Sequence, residues 1–267
     1  MVTTMTWCFF AKNKTLRTLL LSFMGGSLFA QSSAPDLAQL KLEDLMNIEV
    51  TSVSKKGQKV SQAASAIFVI TAEDVRRSGA NKIPDLLRMV PGMEVAQINA
   101  STWAISVRGF NGQYSNKLLV MVDGRTIYSP MFSGVYWDAN TVALSDIDRI
   151  EVIRGPGASV WGANAVNGVI NIITKKASDT QGGMLETEAG TGEHGSGALR
   201  YGGKLGGRGH YRVFAEGSNR PGFPSLQGGS GKDDWQHVNG GFRMDANPSA
   251  RDTVTLEGDA YRGNSGE

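Results

Sequence analysis

Between Ser145 and Lys176 the chain reads S-D-I-D-R-I-E-V-I-R-G-P-G-A-S-V-W-G-A-N-A-V-N-G-V-I-N-I-I-T-K-K, and no other stretch limits the fold as tightly. Ile147, Ile150, Val152 and Ile153 trace a short apolar strand that stops at Arg154-Gly155-Pro156-Gly157. A turn of small residues follows, then a second strand from Gly168 to Thr174. β-Branched apolar residues suit a buried strand. Gly155 and Gly157 are free to take positive φ, which other residues resist. Pro156 fixes its own φ and lacks an N–H, so the ladder must end there. A glycine-rich corner beside a strand is also a candidate phosphate cradle. That reading needs a third glycine or a following Gly-Lys-Ser/Thr, and neither is present.

Upstream, the pattern alternates strands with short helices. Ala66 to Thr71 is a strand, and Thr71-Ala72-Glu73-Asp74 has the chemistry of a helix cap, opening a helix that ends at Gly79. Pro84 begins a second helix, Ile83 to Val90, closed by Pro91-Gly92. Strands are expected at Met93 to Ile98, Trp103 to Arg108 and Leu118 to Val122. Asp123-Gly124 is a hairpin turn, and a long loop runs from Ser129 to Asn140. These elements describe a small mixed α+β domain.

After Lys176 the texture changes. Glycine becomes dense, and apolar residues alternate with polar ones: Val254, Leu256, Gly258 and Ala260 against Thr255, Glu257, Asp259 and Tyr261. Tyr211, Val213 and Ala215 alternate with Arg212, Phe214 and Glu216, Phe214 being the exception. Such strands fit a membrane barrel, with lipid on one side and an aqueous lumen on the other. A half-solvated soluble sheet gives the same alternation.

The N-terminus speaks to compartment. Lys12, Lys14 and Arg17 precede an apolar run from Leu19 to Phe29 that ends at Ala30. This reads as a signal peptide over residues 1–30, too short for a spanning helix. The single cysteine, Cys8, lies within it. The net charge of +2 gives no electrostatic case for nucleic acid. The three histidines, His194, His210 and His237, have no metal-ligand spacing, so neither a metal nor a cofactor is expected. No catalytic constellation is visible, and the chain does not read as an enzyme.

Five short motifs occur in order: Thr71-Ala72-Glu73-Asp74-Val75, Arg88-Met89-Val90-Pro91-Gly92, Val107-Arg108-Gly109-Phe110, Val122-Asp123-Gly124 and Ile150-Glu151-Val152-Ile153-Arg154-Gly155-Pro156. Together they resemble the plug domain of TonB-dependent outer-membrane receptors. The resemblance implies an α+β plug domain with a small mixed sheet over residues 60–176. The first antiparallel strands of an incomplete transmembrane β-barrel follow over 177–267. A complete barrel of about 22 strands needs roughly 200 residues of strand alone, so the chain is expected to be truncated or a plug-bearing remnant. Residues 31–59 are expected to be a periplasmic linker. The family's function is energised uptake of a scarce nutrient such as an iron-siderophore, in the outer membrane of a Gram-negative bacterium. The rival reading is a soluble periplasmic binding or secretion-channel module with a plug-like fold.

The same resemblance implies the site residues. Ile48, Glu49, Val50, Thr51, Ser52 and Val53 stand where a TonB box lies, a segment that adds as a strand to the periplasmic domain of TonB and so receives energy from its inner-membrane complex. In isolation the same residues are a short strand or a linker. Too little chain lies between Ala30 and Ile48 for an additional signalling domain. Three loops are candidates for a small-molecule ligand such as a metal chelate. They contain Asn99 and Ser101; Asn111, Gln113, Tyr114 and Asn116; and Tyr128, Met131 and Phe132. Their amides and hydroxyls offer neutral hydrogen bonds, and their rings offer flat apolar contact; solvated loop residues look the same. Arg108 and Arg154 match plug arginines that pair with glutamates of the barrel wall. The alternative is local pairing, for example with Asp123 or Glu151.

Overall fold

The computed structural model describes residues 49–50, 52, 58–59, 65–114, 117–131, 133–190, 192–225, 228–229, 231–249 and 251–266. These belong to one compact unit, Met46–Glu267. The expected signal peptide lies outside the described residues, as do Ile48, Thr51 and Val53.

The first layer is a five-stranded mixed sheet. Its strands are β3 (Ile67–Thr71), β6 (Leu118–Val122), β7 (Arg125–Thr126), β10 (Ile147–Arg154) and β11 (Gly168–Thr174), in the order β3-β10-β11-β6-β7. β10 pairs antiparallel with both β3 and β11, whereas β11 and β6 run parallel. The middle strands are buried on both faces, which is why they read as continuous apolar runs. Ile150, Val152, Ile170 and Ile172 are fully buried, each worth about 1.5–3 kcal/mol against exposure. The helices α1 (Ala72–Ser78) and α2 (Ile83–Leu87) add Val75, Leu86 and Leu87 to the same core.

Local chemistry sets the boundaries. Thr71 and Asp74 form a reciprocal capping box at the start of α1, and Gly79 closes it with φ 67°. α2 is shorter than its pattern suggests, ending at Leu87, because the chain turns before Pro91 and Gly92. β4 (Met93–Gln97) and β5 (Trp103–Val107) form a separate hairpin. Asp123 and Gly124 take φ 49° and 81°, the two positive values that a tight twisted hairpin requires. The expected long loop contains a small hairpin of its own, β8 (Tyr128–Ser129) with β9 (Gly134–Val135).

The corner after β10 differs from its sequence reading in one respect. Gly155 takes φ 150°, but Gly157 does not take a positive φ. Gly157 is needed for space, since a Cβ there would lie 2.9 Å from Val169 Cγ2. The expected turn of small residues includes one helical turn, α3 (Ala158–Trp161).

The second layer is an antiparallel meander, the wall: β12 (Gly182–Glu188), β13 (Gly195–Leu205), β14 (Gly209–Arg220), β15 (Trp235–Ala246) and β16 (Val254–Ser265). The sheet is open rather than closed. Its alternation separates two faces. Leu185, Leu199, Val213, Val238 and Leu256 are exposed, while Arg212, His237 and Asn239 are buried. The polar side is thus the covered one. A soluble half-solvated sheet would show the reverse.

Gly168 faces Arg154 across the end of the β10–β11 ladder, and a Cβ there would fall 2.6 Å from the carbonyl oxygen of Ile153. Backbone inside a ladder cannot step aside as a flexible side chain can. Gly168→Ala is expected to destabilise the first domain by about 1–3 kcal/mol, as overpacking does. Hydrogen exchange should show faster exchange along β10 and β11. Unchanged protection there would contradict this account of the corner.

Candidate functional site: the interface between the first domain and the wall

β13, β14 and β15 aim three arginines inward near the 206–208 turn: Arg200, Arg212 and Arg243, the last two directly opposite each other. The first domain meets them with two carboxylates. A short 3-10 turn, Leu144–Asp146, delivers Asp146 at the foot of β10, and the tight turn after β6 delivers Asp123. Asp146 pairs with the guanidinium of Arg200 and lies 3.6 Å from that of Arg212. Arg243 Nη1 lies 3.5 Å from Asp123 Oδ2 and 2.8 Å from Glu257 Oε1, and its Nε donates to Asp245 at 2.9 Å.

Thr174, the last residue of β11, ties the two carboxylate groups together. Its N–H and hydroxyl both donate to Asp123 at 2.8 Å. Its hydroxyl oxygen accepts from Arg212 at 3.0 Å and from Arg243 at 3.1 Å. Arg212 also donates to the carbonyl of Lys175 at 3.0 Å, and Asp245 accepts from the Ala177 N–H at 2.7 Å. Asp146 is 3% exposed, so its charge is stable only because guanidinium groups face it.

Farther along the wall, Glu193 sits between Lys82 (4.0 Å) and Arg220 (3.6 Å), and Asn81 donates to Glu188 at 3.3 Å. Burial, and secondly the neighbouring Arg220, lower the Lys82 amine below its usual range. Between the two charged groups lies a cleft of about 630 Å³, with Trp103 and Trp137 on one side and Glu216 and His237 on the other.

Of the expected TonB box, β1 (Glu49–Val50) pairs with β2 (Gln58–Lys59) as a two-stranded ribbon. Val50 and Ser52 are fully buried. Ser52 donates twice to Glu151 Oε2, from its N–H at 2.8 Å and its hydroxyl at 2.6 Å, and its carbonyl accepts from Trp161 Nε1 at 2.5 Å. Arg149 Nε donates to the other oxygen of Glu151 at 2.8 Å. Among the described residues Glu151 therefore meets Arg149 and Ser52, and neither Arg108 nor Arg154.

Arg108 is exposed, with φ 59°, and its guanidinium lies against the Gly155 corner. Arg154 donates to the carbonyl of Pro91 at 3.1 Å. Among the described residues neither pairs with a carboxylate of the wall, nor with Asp123. The carboxylates and arginines that do meet, Asp146 and Asp123 with Arg200, Arg212 and Arg243, were missed by sequence reasoning. The one available signal was an arginine on the polar side of an alternating strand, visible at Arg212.

The expected ligand loops separate into two places. Asn99 Oδ1 accepts from the N–H of Ser101, the hydroxyl of Ser101 and the N–H of Thr102, so it organises its own loop. Ser101 is buried, and the Ala100 N–H donates to Asp233 of the 221–234 connection at 2.8 Å. The second and third loops come together, with Tyr114 packed against Gly134. Asn111, Gln113, Tyr114 and Met131 are exposed, Met131 at 82%, and Tyr128 is half-buried. Phe110, 72% exposed beneath the ammonium of Lys117, joins this surface and was not singled out from sequence. Asn116 and Phe132 lie outside the described residues.

Comparison with known proteins agrees with this layout. Residues 59–169 match the family model described as TonB-dependent Receptor Plug Domain. The first domain is thus similar to a TonB-dependent receptor plug. The chain is 33% identical over 144 residues to the Vitamin B12 transporter BtuB of Vibrio vulnificus, an alignment covering 53% of this chain and 23% of that protein. It is 28% identical over 178 residues to the Ferric enterobactin receptor PirA of Pseudomonas aeruginosa, covering 61% and 24%. This chain thus spans about a quarter of the length of these relatives, which are transporters and receptors rather than enzymes. In fold it is similar to the pyoverdine outer membrane receptor FpvA of Pseudomonas aeruginosa, with TM-score 0.62, 21% identity and coverage of 80% of this chain and 30% of that one. The siderophore receptor PirA of Acinetobacter baumannii gives 0.58 and 24%, covering 75% and 32%.

The buried plug–wall pairs should far outweigh the exposed one. Asp146→Ala leaves Arg200 and Arg212 facing each other and is expected to cost about 3–5 kcal/mol. Arg125 and Asp259 also link plug and wall at 3.2 Å, but both are exposed, so Arg125→Ala should cost under about 1 kcal/mol. Denaturant unfolding followed by tryptophan fluorescence compares them, and equal losses would refute the ranking.

Proposed function

We propose that this chain is the plug-bearing part of a receptor for TonB-energised uptake of a scarce nutrient across the outer membrane of a Gram-negative bacterium. The ligand class we assign is cobalamin or an iron-siderophore. The observation that carries the reading is the two-faced wall. Its polar side grips the plug through Arg200, Arg212 and Arg243, while its other side exposes Leu185, Leu199, Val213, Val238 and Leu256. An exposed apolar face on a polar-lined wall suits lipid and argues against a soluble binding or secretion module. The named relatives, a vitamin B12 transporter and a ferric enterobactin receptor, support the ligand class.

In this reading the plug closes the barrel and the ligand rests on the paired loops of Gln113, Tyr114, Tyr128 and Met131. Both named ligand classes are metal chelates that carry polar groups around a bulky framework. The exposed rings and neutral amides of these loops are suited to them. Asn99 and Ser101 shape the adjoining loop. Arg108 and Arg154 remain our candidates for gating contacts with wall glutamates outside the described residues. Segment 48–53 is the TonB box, and the periplasmic domain of TonB takes it up as an added strand, so Ser52 must first leave Glu151.

Val50→Pro tests the box. Proline removes a backbone donor from a strand that must pair with its partner. Uptake should be lost while ligand binding to the same receptor is kept. Normal uptake by this variant would sink the assignment.

A further inference from the structure

The contacts between plug and wall are unevenly placed. Single contacts such as Lys82–Glu193, Ala100–Asp233 and Asn239–Thr141 are scattered along the wall, but the densest group lies where the plug chain passes into the wall, between Thr174 at the end of β11 and Gly182 at the start of β12. Arg212 holds Thr174 and the Lys175 carbonyl, Arg243 holds Thr174, and Asp245 holds the Ala177 N–H. The same arginines, with Arg200, hold Asp146 and Asp123. At the opposite end of β10, Arg154 bonds a plug carbonyl and Arg108 is exposed. The 8 residues of β10 separate the two ends by about 25 Å at the usual rise of a strand.

We propose that Arg200, Arg212 and Arg243 form a fixed hinge socket for Asp146, Asp123 and Thr174, about which the rest of the plug swings during uptake. This rests on the uptake reading above. Two facts place the hinge here. The covalent link through 175–181 limits how far this end of the plug can travel. Opening the socket would also strand several buried charges at once, which is costly. Elsewhere the plug borders the 630 Å³ cleft beside Trp103 and Trp137, which leaves room for movement. The competing possibility is that the socket is itself a gate that parts to let ligand through.

Thiol cross-links separate hinge from gate without altering the socket residues. Ser145 Oγ and Glu186 Oε2 lie 3.0 Å apart beside the socket, so Ser145→Cys with Glu186→Cys, bridged by a short disulfide-containing bis-thiol reagent, locks the plug to the wall there. Ala100→Cys with Asp233→Cys, bridged by the same reagent, locks the plug away from the socket at the tip of the β4–β5 hairpin, where the Ala100 N–H meets Asp233. Each is assayed for accumulation of cyanocobalamin and of ferric enterobactin, before and after reduction. A hinge predicts that the first link keeps at least about half of the reduced protein's uptake, while the second lowers uptake about tenfold, reversibly. If the first link stops uptake as fully as the second, the hinge is overturned. If the unmodified receptor accumulates neither compound, the ligand assignment fails and the hinge is judged by hydrogen exchange alone. In Asp123→Asn with Asp146→Asn, the amides of residues 175–181 should exchange about tenfold faster than in the unmodified protein, with α1 unchanged. Equal exchange at 175–181 overturns the socket whatever the ligand is.

Discussion

A carboxylate placed between a protein domain and a sheet has lost its water, and it stays charged only if a cation stands in water's place. Asp146 is in that position, and Arg200 and Arg212 answer it. Much else in the molecule follows from this pairing. The arginines must come from the inward side of the wall, which fixes the register of β13, β14 and β15. A slip of one residue in any of these strands would turn its arginine toward the exposed face and its leucines or valines toward the plug. The ion pairs therefore specify which face is which as much as they add stability.

The same demand reaches back into the plug. Asp146 ends a 3-10 turn and Asp123 occupies a positive-φ turn position, a backbone state that aspartate tolerates better than most residues. Two local turns are thus placed so that their carboxylates clear the sheet edge and face the wall. Thr174 donates to Asp123 and accepts from Arg212 and Arg243, which links the Asp123 turn to the wall.

Much of the plug was legible from sequence because its signals are local. Thr71 and Asp74 lie within one helical turn, Asp123-Gly124 names its own hairpin, and Arg154 to Gly157 can only end a strand. Alternation also exposed the wall, since a period of two needs no knowledge of distant residues. What stayed hidden depends on register between remote strands. Nothing near Asp146 in the sequence points to Arg200, and the pairing exists only once β13 is aligned on the plug. For the same reason Glu151 was weighed as a partner for Arg108 or Arg154, whereas it accepts from its neighbour Arg149 and from Ser52, 99 residues earlier in the chain. Gly157 was explained by backbone freedom, whereas the side chain of Val169 sets its identity.

Ser52 on Glu151 has a consequence for recognition. A segment held by hydrogen bonds to a buried carboxylate is present in its free form only for a fraction of the time. Hydrogen bonds to a charged group contribute about 1.5–3 kcal/mol each, so the two from Ser52 hold the docked form at roughly a hundredfold excess or more. Any partner that reads this segment as an extended strand then binds with its intrinsic affinity scaled down by that same factor. Weakening one carboxylate's hold on one serine is enough to change how many copies are available for capture.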